Sequence, residues 1–134
     1  ATRALFDSTL ESLGENMAAL ARRYPEARFI MAHIGANCLR ELRCVKDLSN
    51  VWADFSGSIS HADDLEYAVR ILGVDRILFG SDMPDLAFQT SYGQLLEADL
   101  TEEEREKIAW KNAADVFKRR SVKCGMYSHI IRPQ

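Results

Sequence analysis

Three short segments of this sequence combine acid–base or metal-ligating side chains with glycine or proline. They read HIG at 33–35, DFSG at 54–57 and SDMP at 81–84, and each follows an apolar run. Imidazole and carboxylate groups transfer protons near neutral pH and bind divalent cations. His33, Asp54 and Asp82 are therefore the residues whose types and positions could do chemistry.

Each of these residues also has a structural interpretation. A single histidine at a strand end often serves as hydrogen-bonded scaffold, and Ser81 or Asp82 could cap the turn before Pro84. A carboxylate at position 54, among apolar neighbours, is costly to bury unless it is paired. We therefore expect Asp54 to make a structural hydrogen bond, and His61 to lie on the surface or at a helix entry.

The elements that must position these residues alternate between helix and strand. Apolar runs bounded by turn residues predict buried strands over 28–34, 50–55 and 76–79. Helical periodicity predicts helices over 5–23, 38–48, 62–72, 91–97 and 101–118. Gly73 is placed to end one helix, and Thr101 with Glu104 has the spacing of a capping box. This α, β, α order predicts a parallel sheet built from βα units.

The carboxyl ends of parallel strands share one edge of the sheet, where α/β folds bind ligands. Strand alternation places His33 on the face of Met31 and Phe29. If the extended conformation continues to Asp82, this residue shares a face with Gly80 and Leu78. The pattern resembles barrel strands, with bulky residues facing helices and smaller polar residues facing inward.

Composition supports one globular α/β domain. The chain has 134 residues, is 47% hydrophobic and 28% charged, and carries a net charge of −3. We expect no nucleic-acid partner and no membrane partner, because there is neither a basic footprint nor a long apolar run. The three cysteines have no C-x-x-C spacing, which favours free thiols and a cytoplasmic location. A nucleotide-binding doubly wound domain is disfavoured because neither glycine-rich phosphate motif occurs.

Four motifs together resemble the C-terminal half of the amidohydrolase family that includes aminocarboxymuconate semialdehyde decarboxylase. They are YPEARFIMAHIG, NVWADFSG, GVDRILFGSDMP and DLTEEEREKIAWKNAADVFK, in this order along the chain. The resemblance implies part of a metal-dependent (β/α)8 barrel, roughly strands six to eight with their helices. It implies a domain over residues 1–118, followed by an irregular tail over 119–134.

The resemblance also implies a site. His33 would be the acid or base near the metal-bound water, and Asp82 would bind the metal or take the proton of that water. His33 and Asp82 are also the metal ligands that the matched positions offer. A divalent metal is implied for the intact protein, with zinc favoured, although this chain alone could lack it. The family's His-x-His pair and its strand-five histidine have no counterpart among the three histidines of this sequence.

Two expectations follow for the chain by itself. A complete barrel needs about 250 residues, so we expect the chain to be an inactive part of a larger enzyme and to self-associate through exposed strand edges. The intact protein is expected to hydrolyse a C–N, C–O or C–C bond of a small carboxylic or cyclic substrate. The alternatives are non-oxidative decarboxylation, or a non-catalytic half-barrel that binds a partner.

Overall fold

The computed structural model describes residues 14–34, 38–57 and 63–118. Several predictions fall outside these residues: the first part of the helix over 5–23, the position of His61, and the tail over 119–134. The division of the chain after residue 118 therefore stays a prediction. Among the cysteines, Cys44 is a free thiol, as predicted. Within the described ranges, no helix combines the length and the apolar character that crossing a membrane requires.

The predicted alternation of helices and strands is confirmed. The elements are α1 (Gly14–Arg23), β1 (Phe29–Met31), α2 (Cys38–Val45), β2 (Val51–Asp54), α3 (Asp64–Leu72), β3 (Ile77–Leu78), α4 (Phe88–Glu97), α5 (Glu102–Glu106) and α6 (Asn112–Val116). Short 3-10 turns cover Ala32–Ile34 and Val74–Arg76, and a π-helical turn over Lys107–Lys111 joins α5 to α6.

The three strands form one parallel sheet in the order β1-β2-β3. Met31 pairs with Ala53, which in turn pairs with Ile77. All three side chains are buried, and they belong to the same core as Leu42 of α2 and Leu65 of α3. Paired residues of a sheet point to one face, so this row identifies the face that the helices cover.

The opposite face of the sheet is less covered. It carries Ile30 and its partner Trp52, both half-buried, and the half-buried Asp54 paired with Leu78. Along β2 the contrast is sharp, because Val51 and Ala53 are fully buried whereas the alternate positions are not. The carboxylate of Asp54 therefore lies on the face that the helices leave open.

Asparagine side chains fix the ends of the strands. Asn50, just before β2, donates from Nδ2 to the carbonyls of Ala21, Tyr24 and Ala27 at 3.1–3.2 Å. The buried Asn112 of α6 donates to two carbonyls around the start of β3, both at 2.8 Å. Each asparagine thus connects a helix region to the strand beside it.

Two local predictions are confirmed, and the strand lengths need correction. Thr101 and Glu104 form the capping box, and Gly73 ends α3 with its N–H on the carbonyl of Val69 at 2.8 Å. The predicted strand over 76–79 is only two residues long, because the N–H of Phe79 donates to the carbonyl of Ile108 in the π turn, at 3.0 Å. The helix predicted over 91–97 begins three residues earlier.

Candidate functional site

The three strands end at the same edge of the sheet, and each is followed by one of the polar segments. The turn after β1 carries His33, the residues after β2 are Phe55–Gly57, and the connection from β3 to α4 carries Asp82. This is the edge at which parallel α/β sheets hold their ligands. The expectation that the segments meet at one edge is therefore confirmed.

The backbone of His33 is not extended, as strand alternation requires. The strand ends at Met31, and His33 adopts a left-handed backbone with φ 66° and ψ 20° in the 3-10 turn. Its N–H donates to Oδ1 of Asp54 at 3.2 Å. The condition for sharing a face with Met31 and Phe29 is therefore not met, because the extended backbone stops two residues earlier.

Asp54 makes the structural hydrogen bonds that its position predicts. Its Oδ1 accepts from the N–H of His33, from the N–H of Ser56 at 3.0 Å and from Oγ of Ser56 at 2.5 Å. One carboxylate oxygen therefore connects the turn after β1 to the turn after β2. Three donors stabilise a half-buried charge that would otherwise be costly at this position.

Two glycines leave the space that this arrangement occupies. A Cβ at position 57 would lie 2.5 Å from Nδ1 of His33, and Gly57 has a φ of +114°. A Cβ at position 80 would lie 3.0 Å from Oδ1 of Asp54 and 2.9 Å from Cβ of Ser56. A larger residue at either position would push against the imidazole or the carboxylate. From the sequence, Gly57 is a turn residue and Gly80 a strand-face neighbour of Leu78, and their contacts with His33 and Asp54 were missed.

Asp82 also departs from the extended conformation. Its φ is +57°, its side chain is exposed, and its carbonyl accepts from the N–H of Leu86 at 3.0 Å. The condition for sharing a face with Gly80 and Leu78, an extended backbone up to Asp82, is therefore not met. The peptide bond between Met83 and Pro84 is cis.

Aromatic rings hold the two ends of the segment that carries Asp82. Phe79 precedes this segment and Phe88 follows it, and their ring centroids lie 5.4 Å apart. Phe79 also contacts the buried Phe55 edge to face at 5.6 Å, and Phe88 stacks on Tyr92 at 5.5 Å. Such contacts stabilise by about 1 kcal/mol each beyond the area they bury. The sequence signal was present in the aromatic positions, but nothing in their spacing indicated that they meet.

The structure brings His33 and Asp82 to one edge without joining them directly. The strands that precede them are separated by β2, which places the strands about 10 Å apart. A catalytic metal takes three protein ligands and a water. Within residues 14–34, 38–57 and 63–118, no three His, Cys, Asp or Glu side chains form a group that could hold a metal ion. The donor types of His33 and Asp82 suit a divalent metal, but the described residues do not complete a metal centre.

Comparison with known families supplies the context for this geometry. A family sequence model described as amidohydrolase matches residues 9–119, most of the chain. The chain belongs to the amidohydrolase family. The resemblance drawn from the four motifs is thereby confirmed. No curated protein matches this amidohydrolase chain.

Solved amidohydrolase-type structures share its fold. A 5-carboxyvanillate decarboxylase from Sphingomonas paucimobilis is 19% identical with a TM-score of 0.60, and the match covers 78% of this chain and 38% of that protein. A dihydroxybenzoic acid decarboxylase from Polaromonas sp. JS666, with bound manganese and the inhibitor 2-nitroresorcinol, is 22% identical with a TM-score of 0.62 (78% and 38% covered). An amidohydrolase from Burkholderia multivorans with bound zinc is 20% identical with a TM-score of 0.63 (77% and 48% covered).

These matches confirm the predicted fold class. The amidohydrolase chain is an α/β structure whose parallel three-stranded sheet and helices correspond to part of a (β/α)8 barrel. It spans less than half the length of each of these three structures. At such identities the likeness concerns the fold, and the roles of individual residues need a separate argument.

Proposed function

We propose that this chain forms part of the active site of a metal-dependent amidohydrolase-type enzyme. The enzyme hydrolyses a C–N, C–O or C–C bond of a small carboxylic or cyclic molecule. The observation that carries the proposal is the position of His33, exposed at the carboxyl edge of the sheet in a left-handed turn that Asp54 holds. An exposed imidazole at the ligand-binding edge is available to substrate, whereas a scaffold histidine would be enclosed.

His33 and Asp82 have different roles in the proposal. The imidazole of His33 accepts a proton from the attacking water or donates one to the leaving group, as general acid–base catalysis requires. The carboxylate of Asp82, held in the exposed segment between Phe79 and Phe88, accepts a proton and contributes a metal ligand.

A divalent metal would supply further chemistry at this edge, and His33 and Asp82 would hold it in part. When bound, a divalent ion lowers the pKa of its water and polarises the substrate. Zinc is the metal we favour, and the zinc and manganese in the Burkholderia and Polaromonas proteins support a divalent ion. Asp82 and His33 are the ligands that this chain offers, and the remaining ligands come from residues that the structure does not describe.

Decarboxylation is the second candidate. The likeness to a 5-carboxyvanillate decarboxylase and a dihydroxybenzoic acid decarboxylase favours it. Loss of carbon dioxide from an aromatic acid requires a proton donor at the carbon that carried the carboxylate, and the imidazole of His33 would supply that proton. The same two residues therefore serve either reaction, and a small-molecule substrate is the partner in both.

Activity is best tested by expressing the reading frame extended upstream of this chain. The protein is assayed with zinc or manganese for carbon dioxide release from hydroxybenzoates and for hydrolysis of lactones and amides. His33→Asn and Asp82→Asn should each lower kcat by about 10²–10⁴-fold. Asp47→Asn, which changes an exposed carboxylate at the opposite end of β2, is the matched control and should leave kcat unchanged.

The outcomes separate the candidate functions. Carbon dioxide release that depends on His33 favours decarboxylation, and hydrolysis that depends on His33 favours the leading proposal. If His33→Asn and the control variant have equal kcat, the proposed role of His33 is wrong. If the extended frame has no activity on either class and adds no His-x-His pair, a non-catalytic half-barrel that binds a partner replaces both enzymes.

Metal binding by the chain itself is a separate test. Substoichiometric manganese broadens NMR signals close to the site where it binds. We expect broadening around His33 and Asp82 that disappears in Asp82→Asn, with weak affinity because two ligands are fewer than a catalytic site uses. Broadening centred instead on the acidic first turn of α5, Glu102–Glu104, would contradict the proposed ligands.

A further inference from the structure

The turn after β1 has an unusual backbone. His33 and Ile34 follow one another with φ values of +66° and +44°. Positive φ is uncommon for residues other than glycine, and a β-branched residue such as isoleucine is a clear outlier there. Two successive left-handed residues need contacts that hold them, because the chain alone favours other conformations.

Asp54 is positioned to provide that hold. Its Oδ1 accepts the N–H of His33 at 3.2 Å, a bond from the turn after β1 to the last residue of β2. The same oxygen is fixed by Ser56, which donates both its N–H and its Oγ. Ser56 thus orients the carboxylate, and the carboxylate in turn meets the backbone of His33.

The position of the His33 ring is limited by the residues that follow β2. Gly57 lies so close that a Cβ would be 2.5 Å from Nδ1, and a Cβ at position 80 would lie 3.0 Å from Oδ1 of Asp54. The backbone of His33 is therefore held by a hydrogen bond, and its ring rests against the strand end beside it. Both constraints come from residues that directly follow or end β2.

We infer that Asp54 is the positioning residue of His33. It sets the left-handed turn that holds the exposed imidazole at the carboxyl edge of the sheet. It touches no substrate and acts only through His33. The catalytic part of this inference rests on the proposed function of His33, whereas the control of the turn does not.

The turn is tested directly by NMR on the chain. Cα and Cβ chemical shifts and the amide–Hα coupling of His33 report the sign of φ, and amide exchange reports the hydrogen bond. Asp54→Ala removes the acceptor and should abolish the left-handed signature and speed the exchange of the His33 amide about tenfold. Asp54→Asn keeps an oxygen acceptor and should restore most of the signature. Asp47→Ala, at the other end of β2, is the control that should change neither.

A second variant tests the same inference if Asp54→Ala fails to fold. Gly80→Ala keeps aspartate at position 54 but introduces a Cβ that would lie 3.0 Å from Oδ1 of Asp54. It should displace the carboxylate and weaken the His33 hydrogen bond, giving faster amide exchange at His33 than in the parent. An unchanged His33 signature in a folded Asp54→Ala, or in Gly80→Ala when Asp54→Ala is unfolded, overturns the inference.

Kinetics of the extended protein then separate the two proposals. Asp54→Ala should lower kcat about tenfold with KM unchanged, and Asp54→Asn should recover most of it. If the turn is lost but kcat is unchanged, the role of His33 is wrong and the control of its backbone by Asp54 remains. If kcat depends on His33 while the turn survives in Asp54→Ala, the positioning role of Asp54 is wrong and the proposed function remains.

Discussion

Gly57 offers a test of whether the position of the His33 ring depends on the strand end beside it. Gly57 and Gly73 both have positive φ, +114° and +82°, but they differ in their surroundings. A Cβ at position 57 would lie 2.5 Å from Nδ1 of His33, whereas a Cβ at position 73 would meet nothing within 4 Å. Gly73→Ala is therefore a matched control that adds backbone strain without the contact.

The expected free energies follow from this difference. Alanine at positive φ costs about 1–3 kcal/mol of unfolding free energy at either position. The clash at position 57 involves the edge of an exposed ring, which can rotate away at a cost of about 0.5–1.5 kcal/mol. Gly57→Ala should therefore lose at most about 1.5 kcal/mol more than Gly73→Ala, while its His33 ring is displaced.

Urea denaturation gives the two unfolding free energies, and histidine ring NMR signals give the position of His33. The chain has three histidines, so a His33→Asn spectrum assigns the ring signals. We expect the His33 signals to move in Gly57→Ala and to stay in place in Gly73→Ala. Identical His33 signals in both variants would refute the packing argument, because a new Cβ at position 57 must displace a ring that contacts this position.

Three further predictions concern the framework of the fold. Asn112→Leu removes the two bonds to carbonyls around β3 and should lower the unfolding free energy by about 2–4 kcal/mol in urea denaturation, and a loss below about 0.5 kcal/mol would contradict it. Hydrogen bonds from the backbone and side chain of Thr101 lower the pKa of Glu104, so the stability that they contribute is present above the ordinary carboxyl range and is lost as pH falls through the lowered pKa. Thr101→Ala removes the side-chain bond and keeps the backbone N–H bond, which is the larger cause, so it should raise that pKa part of the way toward its ordinary value and reduce the loss of stability at acid pH. An unchanged Glu104 titration by NMR would contradict this. The exposed edges of the outer strands, β1 and β3, should drive self-association of the chain. Sedimentation should then show a mass that rises with concentration, and Ile30→Lys should reduce this rise. A compact monomer at high concentration would contradict the prediction.

The features that could be predicted from sequence depend on neighbouring residues. The capping box needs only Thr101 and Glu104, three residues apart, and the end of α3 needs only Gly73. The parallel sheet follows from the order of apolar and amphipathic segments, because βα units impose that topology. The edge at which His33 and Asp82 lie followed from the same order.

The features that could not be predicted depend on distant contacts. The end of β3 is set by the bond from Phe79 to the carbonyl of Ile108, and the ends of the Asp82 segment are held by the Phe79–Phe88 pair. The backbone of His33 turns because its N–H meets Asp54, on the next strand. Strand alternation contains no information about such bonds, so it does not apply to His33, whose backbone is not extended.

The hydrogen bond between Asp54 and His33 links the structural role of the first residue to the functional role of the second. From the sequence, a structural carboxylate and a functional histidine are separate interpretations of separate residues. In the structure the burial cost of the carboxylate is offset partly by the N–H of the histidine itself, so the same bond that stabilises Asp54 orients the turn of His33. A substitution at Asp54 therefore cannot be purely structural if His33 is catalytic, because the hydrogen bond that it removes is one that sets the direction of the imidazole.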